Sequence, residues 1–216
     1  MSKTMNDKLN EGRQYRDIDA ASFERRTDDE GRKTVEGYAT VFNAPYVLYK
    51  EDGYTVREQV DANAFAEADM TDVIMQYNHE GRVFARRSNG TLELDADEKG
   101  LRIRADLGGT ELGRQVYEEI EGGYTTKMSF GFKVDEDERT TTENKETGEV
   151  DILRTITRIG KLYDVSAVSI PANDATSISA RSFGEGAIAE AREELSAIKE
   201  RERRKLEILA LLEASK

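Results

Sequence analysis

His79 is the only histidine among the 216 residues of this chain, and the chain has no cysteine. Histidine is the side chain whose ordinary pKa allows it to take up and release a proton near neutral pH. It lies in the sequence Tyr-Asn-His-Glu-Gly-Arg of residues 77–82, directly after the apolar residues 73–75. The composition therefore reduces the search for an acid–base centre to one position and its partners.

Ser129 is the first candidate partner of this histidine. Residues 127–134 alternate as a strand does, so that their apolar side chains share one face and Ser129 lies on the other. Gly131 carries no side chain beside the hydroxyl, which leaves space for a bulky ligand. We therefore expect Ser129 to lie on an open strand face, as a nucleophile requires. A surface serine without a role would give the same pattern.

Asp164 is the candidate third residue. It interrupts a segment otherwise rich in apolar residues, where a carboxylate costs free energy unless it is paired or lies at the rim of a barrel. A carboxylate bonded to the far ring nitrogen of a histidine fixes the tautomer of the imidazole. We expect Asp164 to orient His79, and an aspartate that faces water at the rim is the alternative.

The elements that must position these residues are mainly strands. Residues 110–120 predict a helix, because Leu112, Val116 and Ile120 fall on one face, and Gly122 with Gly123 ends it. Asp61 begins a short helical turn over residues 61–65. Alternating or β-branched segments predict strands at residues 35–42, 54–60, 72–77, 91–94, 101–107, 127–134, 151–159 and 161–170.

Two further segments differ from this pattern. Residues 135–149 are polar and predict a solvated hairpin loop. Residues 185–213 are rich in Glu, Arg, Ala and Leu and predict one long helix. This helix carries two apolar stripes separated by a charged gap, and we expect it to bury its stripe against a partner or a second copy. The stripes are Ile188, Ala191, Leu195 and Ile198, then Leu206, Leu209 and Leu212.

Many short strands with one internal helix predict an α+β fold that is mainly β. We expect a closed or nearly closed β-barrel with peripheral helices and a long C-terminal helix. The chain then divides into a polar N-terminal arm at residues 1–33, a barrel domain at residues 34–181 and a charged helix at residues 182–216. The helix would serve as a tether, a scaffold element or a dimer contact.

The composition excludes several classes of function. A net charge of −12 argues against a nucleic-acid partner, which would need clustered basic residues; it suits a basic partner or simply aids solubility. Without cysteine and with one histidine, disulfides, zinc–thiolate sites and histidine-rich metal sites are ruled out, so we expect no metal and no cofactor. No apolar run reaches ~18 residues, and we expect a soluble, intracellular protein without a membrane partner.

An ordered set of short motifs resembles the prohead, or capsid maturation, serine proteases of tailed phages, which are related in fold to the herpesvirus assemblins. The resemblance covers about residues 34–181, and the order of the motifs is more specific than any single motif. The motifs are at residues 37–43, 78–80, 90–94, 100–101, 129–132, 163–168 and 171–173.

The resemblance implies a role for each candidate residue. Ser129, in Ser-Phe-Gly-Phe, would be the nucleophile, and His79, in Asn-His-Glu, its general base. Asp164 stands where most family members have glutamate, so the third role is assigned to a shorter acid. Backbone amides, or an arginine such as Arg86 or Arg87, would stabilise the oxyanion.

The resemblance also implies a biological role. Such a serine endopeptidase processes the major capsid protein and its scaffold segment inside the immature capsid in the host cytoplasm, and it cleaves itself. Two alternatives remain: a non-enzymatic capsid scaffolding or assembly protein, which the acidic balance and the charged helix also fit, and a binding barrel in which His79 is a satisfied polar residue. A metallo-hydrolase lacks the necessary ligands.

Overall fold

The computed structural model describes residues 12–18, 24–27, 32–168 and 178–214. In this part of the chain there are eleven β-strands, two α-helices and one short 3-10 helix at Arg87–Asn89. The strands are β1 Gln14–Ile18, β2 Glu24–Thr27, β3 Lys33–Val41, β4 Tyr46–Glu51, β5 Tyr54–Val60, β6 Ile74–Tyr77, β7 Glu80–Arg86, β8 Leu92–Ala96, β9 Gly100–Asp106, β10 Lys127–Glu143 and β11 Val150–Val168; the helices are α1 Glu111–Glu121 and α2 Ile178–Ala214.

The strands form two open sheets. The larger sheet has the order β1-β10-β11-β5-β4, with β6 paired to β11 and β7 to β6, and the smaller has the order β2-β3-β9-β8. The prediction of a mainly β fold with a long C-terminal helix is confirmed, but neither sheet closes among the described residues, so the barrel is not present. Strand β11 pairs in parallel with β5 over its first part and with β6 over its last part. The larger sheet therefore forks at β11.

The β10–β11 hairpin is longer than the sequence predicts. Strand β10 continues to Glu143 and β11 begins at Val150, so most of the predicted loop at residues 135–149 is paired strand. This segment is largely exposed, but its threonines at 140–142 are β-branched and favour a strand even in contact with water. The polar composition therefore marks a solvated face of the hairpin.

Two hydrophobic clusters hold these elements together. The first lies between the two sheets and includes Phe130 and Phe132 of β10, whose rings stack with centroids 4.5 Å apart. Helix α1 packs against it with two residues of the predicted face, Val116 and Ile120, whereas the third, Leu112, is exposed. Thr110 caps the helix by accepting a hydrogen bond from Gly113 N at 3.0 Å. The second cluster lies under α2.

Helix α2 is divided between a buried and an exposed part. Phe183, Ala187, Ile188 and Ala191 are buried against β4, β5 and β11. The first predicted stripe is therefore covered by this chain's own sheet at Ile188 and Ala191, which corrects the expectation of a partner there. The second part of the helix is exposed, including the predicted Leu206, Leu209 and Leu212.

No helix in the described residues is long and apolar enough to cross a membrane.

The last motif of the family resemblance, at residues 171–173, lies outside the described part of the chain.

The predicted N-terminal arm contributes to both sheets. Strand β1 pairs antiparallel with β10, with Arg16 opposite Phe130 and residue 17 opposite Ser129. Strand β2 pairs antiparallel with β3 of the smaller sheet. Part of the polar segment before residue 34 is thus packed against the strand that carries the candidate nucleophile.

Candidate active site

The three residues predicted from the sequence meet in one hydrogen-bonded line, which we call the His79 cluster. His79 Nε2 lies 2.6 Å from Ser129 Oγ, and His79 Nδ1 lies 2.8 Å from Asp164 Oδ2. Ser129 and Asp164 are brought together by the antiparallel pairing of β10 and β11, in which Gly131 is opposite Asp164. Strand β6 lies beside the same end of β11 and leads directly to the histidine.

His79 is held by a two-residue hairpin turn between β6 and β7. Tyr77 pairs with Glu80, and the two central residues, Asn78 and His79, have φ angles of 49° and 60°. These left-handed angles belong to the turn that joins tightly twisted strands; asparagine accepts them readily, but they are uncommon for histidine. Asn78 N donates to the carbonyl of Ala167 at 3.0 Å, which fixes the turn to β11. The turn therefore fixes the position of the imidazole relative to β11.

Asp164 is fully buried, so the alternative of an aspartate facing water at a rim is wrong. Its Oδ2 accepts from His79, from Arg13 Nη2 at 2.8 Å and from the more distant Ser166 Oγ at 3.4 Å. Its Oδ1 has no hydrogen-bond partner among the described residues. One carboxylate oxygen thus carries all the orienting contacts.

Gly131 accommodates the Asp164 carboxylate. A Cβ atom at this position would overlap Asp164 Oδ1 and would lie 2.8 Å from Arg13 Nε. The expected space for a ligand beside Ser129 is therefore filled by the acid and the arginine. The glycine permits the hydrogen-bonded line to form.

Ser129 is buried, and the prediction of an open strand face is wrong. Strand β1 pairs with the edge of β10 beside this residue. The backbone carbonyl of Arg16 accepts a hydrogen bond from Ser129 Oγ at 3.0 Å. The hydroxyl thus has two neighbours, the imidazole and a main-chain carbonyl, which compete for its single proton.

Residues of the segment at 13–16 also contact the other two members of the His79 cluster. The Tyr15 ring lies against the His79 ring with centroids 4.4 Å apart and a tilt of 59°. The Arg13 guanidinium lies 4.9 Å from the ring centroids of both Tyr15 and Tyr163 while it pairs with Asp164. Sequence reasoning missed these contacts, because a five-residue strand in a polar segment gives little periodic signal.

The side chain of Arg16 enters a second buried polar group, which we call the Glu58 cluster. Arg16 Nε and Nη2 donate to the two Glu58 oxygens at 2.5 and 3.0 Å, and Arg154 Nη1 donates to Glu58 Oε2 at 2.5 Å. Gln14 accepts from both arginines, and Tyr46 donates to Glu58. Burial alone would raise the pKa of Glu58, but the two guanidinium groups and these hydrogen bonds lower it to about 2.

The two arginines considered for an oxyanion site are occupied elsewhere. Arg86 Nη1 pairs with Asp72 at 2.7 Å, and Arg87 Nη1 donates to the carbonyl of Met70 at 2.9 Å. Neither of these partners belongs to the His79 cluster.

A serine hydroxyl, an imidazole and a buried carboxylate in one line form the arrangement that serine hydrolases use for acyl transfer. The class that the site defines is therefore a serine hydrolase built on two open β-sheets. The chain matches the model of the caudovirus prohead serine protease family over residues 21–189, and it belongs to that family. It is therefore a prohead serine protease.

A solved structure is also similar to this chain. It is the bacteriophage T4 capsid assembly protease gp21, which is 12% identical with a TM-score of 0.44, over 74% of this chain and 98% of that one. No curated protein matches the chain significantly.

Proposed function

We propose that Ser129 is the nucleophile, His79 its general base and Asp164 the acid that orients the base. The observation that carries the proposal is the unbroken line from Ser129 Oγ through both ring nitrogens to Asp164 Oδ2, at 2.6 and 2.8 Å. Both distances lie within the range that proton transfer and orientation need. Asp164 reaches the imidazole from its position on β11.

The reaction follows from this geometry. Ser129 Oγ gives its proton to His79 Nε2 as it forms a bond to the carbonyl carbon of a peptide. The imidazolium, stabilised by Asp164, then gives this proton to the leaving amine as the carbon–nitrogen bond breaks. A water molecule, deprotonated by the same imidazole, hydrolyses the acyl-enzyme and restores the hydroxyl.

The finer biological role extends this proposal. The protease would act on the major capsid protein and its scaffold segment inside the immature shell in the host cytoplasm, and it would then cleave its own termini. The exposed second part of α2 suits a tether or a contact between two copies, because it presents five apolar side chains to solvent: Leu206, Ile208, Leu209, Leu211 and Leu212. Terminal mapping by mass spectrometry should show loss of the Lys216 end in mature heads; an intact end there would contradict self-cleavage.

The test of the catalytic assignment is co-expression with the cognate capsid protein. Ser129→Ala and His79→Ala should each lower the cleavage rate by a factor on the order of 10⁴–10⁶. Ser88→Ala is the matched control, because Ser88 is exposed and bonded to Asp72, and it should cleave normally. Undiminished cleavage by either of the first two variants would overturn the assignment.

A chemical probe distinguishes the proposed serine protease from a purely structural assembly protein. A serine-directed fluorophosphonate should label Ser129 of the wild type and fail to label His79→Ala. A scaffold without catalysis would show no labelling at this position in either protein.

A further inference from the structure

Strand β1 and the residue just before it together contact every member of the His79 cluster. The carbonyl of Arg16 accepts from Ser129, the Tyr15 ring packs against His79, and Arg13, just before the strand, pairs with Asp164. Because β1 is the terminal strand of its sheet, it alone covers this side of β10 in the described residues. The segment that closes the site is thus a single short edge strand.

The position of the Arg16 carbonyl indicates how this strand affects access to Ser129. A substrate must place its carbonyl group about 3–3.5 Å from the nucleophile before reaction. In the structure this space beside Ser129 Oγ holds the carbonyl oxygen of Arg16, 3.0 Å away, and the hydroxyl is fully buried. The hydrogen bond also diverts the proton that the hydroxyl must give to His79. A substrate cannot reach the serine while β1 is in place.

The side chain of Arg16 holds the strand in this position. It is 1% exposed and donates two hydrogen bonds to Glu58, which is fully buried. Without Arg16, Glu58 would keep its contacts with Arg154 and Tyr46. When the strand is released, the buried Glu58 carboxylate therefore remains paired with Arg154. Arg16 can leave without a buried, unpaired negative charge being left behind.

We propose that Gln14–Ile18 is an intramolecular occupant of the substrate site and inhibits the enzyme until it is displaced. The partner that fits this edge is an extended peptide segment of the substrate, added antiparallel to β10. Such a segment would replace the backbone hydrogen bonds of β1 one for one, which is the general mode of strand addition to a sheet edge. The inference rests on the proposed function, since it assumes that Ser129 is the nucleophile.

The competing interpretation is that β1 completes the active site, with Arg13 and Tyr15 supporting the acid and the base. The two interpretations predict opposite effects when the strand is loosened. An inhibitory strand should expose Ser129 and speed its reaction, whereas a supporting strand should slow it.

The test uses the full chain and a fluorophosphonate without a peptide portion. Arg16→Ala removes the anchor and should label Ser129 about tenfold faster or more, since the lost contacts are charge-assisted hydrogen bonds to a buried group. Arg57→Ala is the matched control: Arg57 lies next to Glu58 on the same strand but pairs with the half-exposed Asp151. This control should label at the wild-type rate. An Arg16→Ala protein with native circular dichroism that labels no faster than the wild type would overturn the proposal.

Hydrogen exchange gives a second measurement that does not depend on catalysis. In Arg16→Ala the amides of residues 14–18 should lose protection while those of β11 keep it. In wild-type protein labelled at Ser129, the adduct should displace β1 and expose the same amides. Protection of residues 14–18 that is unchanged in both proteins would refute the inhibitory strand. Failure of the proposed function is distinct, since it would abolish labelling of Ser129 in the wild type and in Arg16→Ala alike.

Discussion

Strand β1 contacts two buried polar groups that differ in how completely their atoms are hydrogen-bonded. Its backbone accepts from Ser129 in the His79 cluster, and the Arg16 side chain enters the Glu58 cluster. In the Glu58 cluster each Glu58 oxygen has at least two donors, and the pKa of the acid is lowered to about 2. In the His79 cluster one oxygen of Asp164 has no hydrogen-bond partner among the described residues, and the histidine has a left-handed backbone.

The difference shows how one fold uses buried polarity in two ways. In the Glu58 cluster every charged group has a partner of opposite charge, since Arg154 also pairs with Asp137, and this full pairing fixes the geometry of the strands that meet there. Incomplete pairing and backbone strain keep groups reactive, and their cost is borne by the surrounding structure. Substitutions in the first group should therefore change stability, and those in the second should change rate.

The largest expected effect is that of Asp164→Asn on catalysis. The amide cannot hold the imidazole in the tautomer that accepts the serine proton, so the rate of capsid-protein cleavage should fall by a factor on the order of 10⁴. The fold should persist, because the substitution keeps the shape of the side chain. Asp69→Asn, which alters an exposed pair with Lys161, is the control and should cleave normally. A normal rate for Asp164→Asn would place the orienting role elsewhere.

Glu58→Gln, in contrast to Asp164→Asn, should mainly lower the stability of the protein. It removes the negative charge that Arg16 and Arg154 share, and breaking a buried ion pair in this way typically costs about 3–5 kcal/mol of unfolding free energy. Asp151→Asn removes the half-exposed partner of Arg57 and should cost less than about 1 kcal/mol. Urea unfolding of the three proteins measures both values, and equal stabilities would show that the Glu58 cluster does not hold the strands together.

Acid should weaken the Glu58 cluster over a defined pH range. The pKa of Glu58 is about 2 in the folded protein and 4.5 as its ordinary value, so its contribution to stability is fully present above pH 4.5. It is lost as the pH falls from there towards 2, and it amounts to on the order of 3 kcal/mol. The difference in unfolding free energy between wild type and Glu58→Gln should shrink over this range. A difference that is constant with pH would contradict the lowered pKa.

The smallest expected effect is that of Gly131→Ala, which tests the packing around Asp164. The added methyl would displace the carboxylate or Arg13, and a misplacement of about 1 Å lowers the rate roughly 10²-fold. Gly160→Ala is the matched control, because it crowds the Asp135 carboxylate, which lies outside the His79 cluster. Equal cleavage rates for the two variants would mean that the site adjusts to the methyl group.

The local pattern of the sequence was enough to find the candidate residues and several elements. The uniqueness of His79, the alternation around Ser129 and the acid at position 164 identified a set that the structure brings together. Periodicity predicted β5 and α1 to within a residue or two. Residue type and periodicity depend only on nearby positions in the chain, so a short stretch of sequence is enough to recognise them.

Long-range pairing had to come from the tertiary structure. Ser129 and the Arg16 carbonyl that covers it are 113 residues apart, and Arg16 and Glu58 are 42 apart. The pattern of β10 determined that Ser129 points away from the apolar face, but the groups that contact its hydroxyl, the Arg16 carbonyl and the His79 ring, come from distant parts of the chain. Likewise, the larger sheet forks at β11 because this strand has two parallel partners at different points along the chain. Alternation fixes the face of a side chain, whereas only the assembled sheet fixes its neighbours.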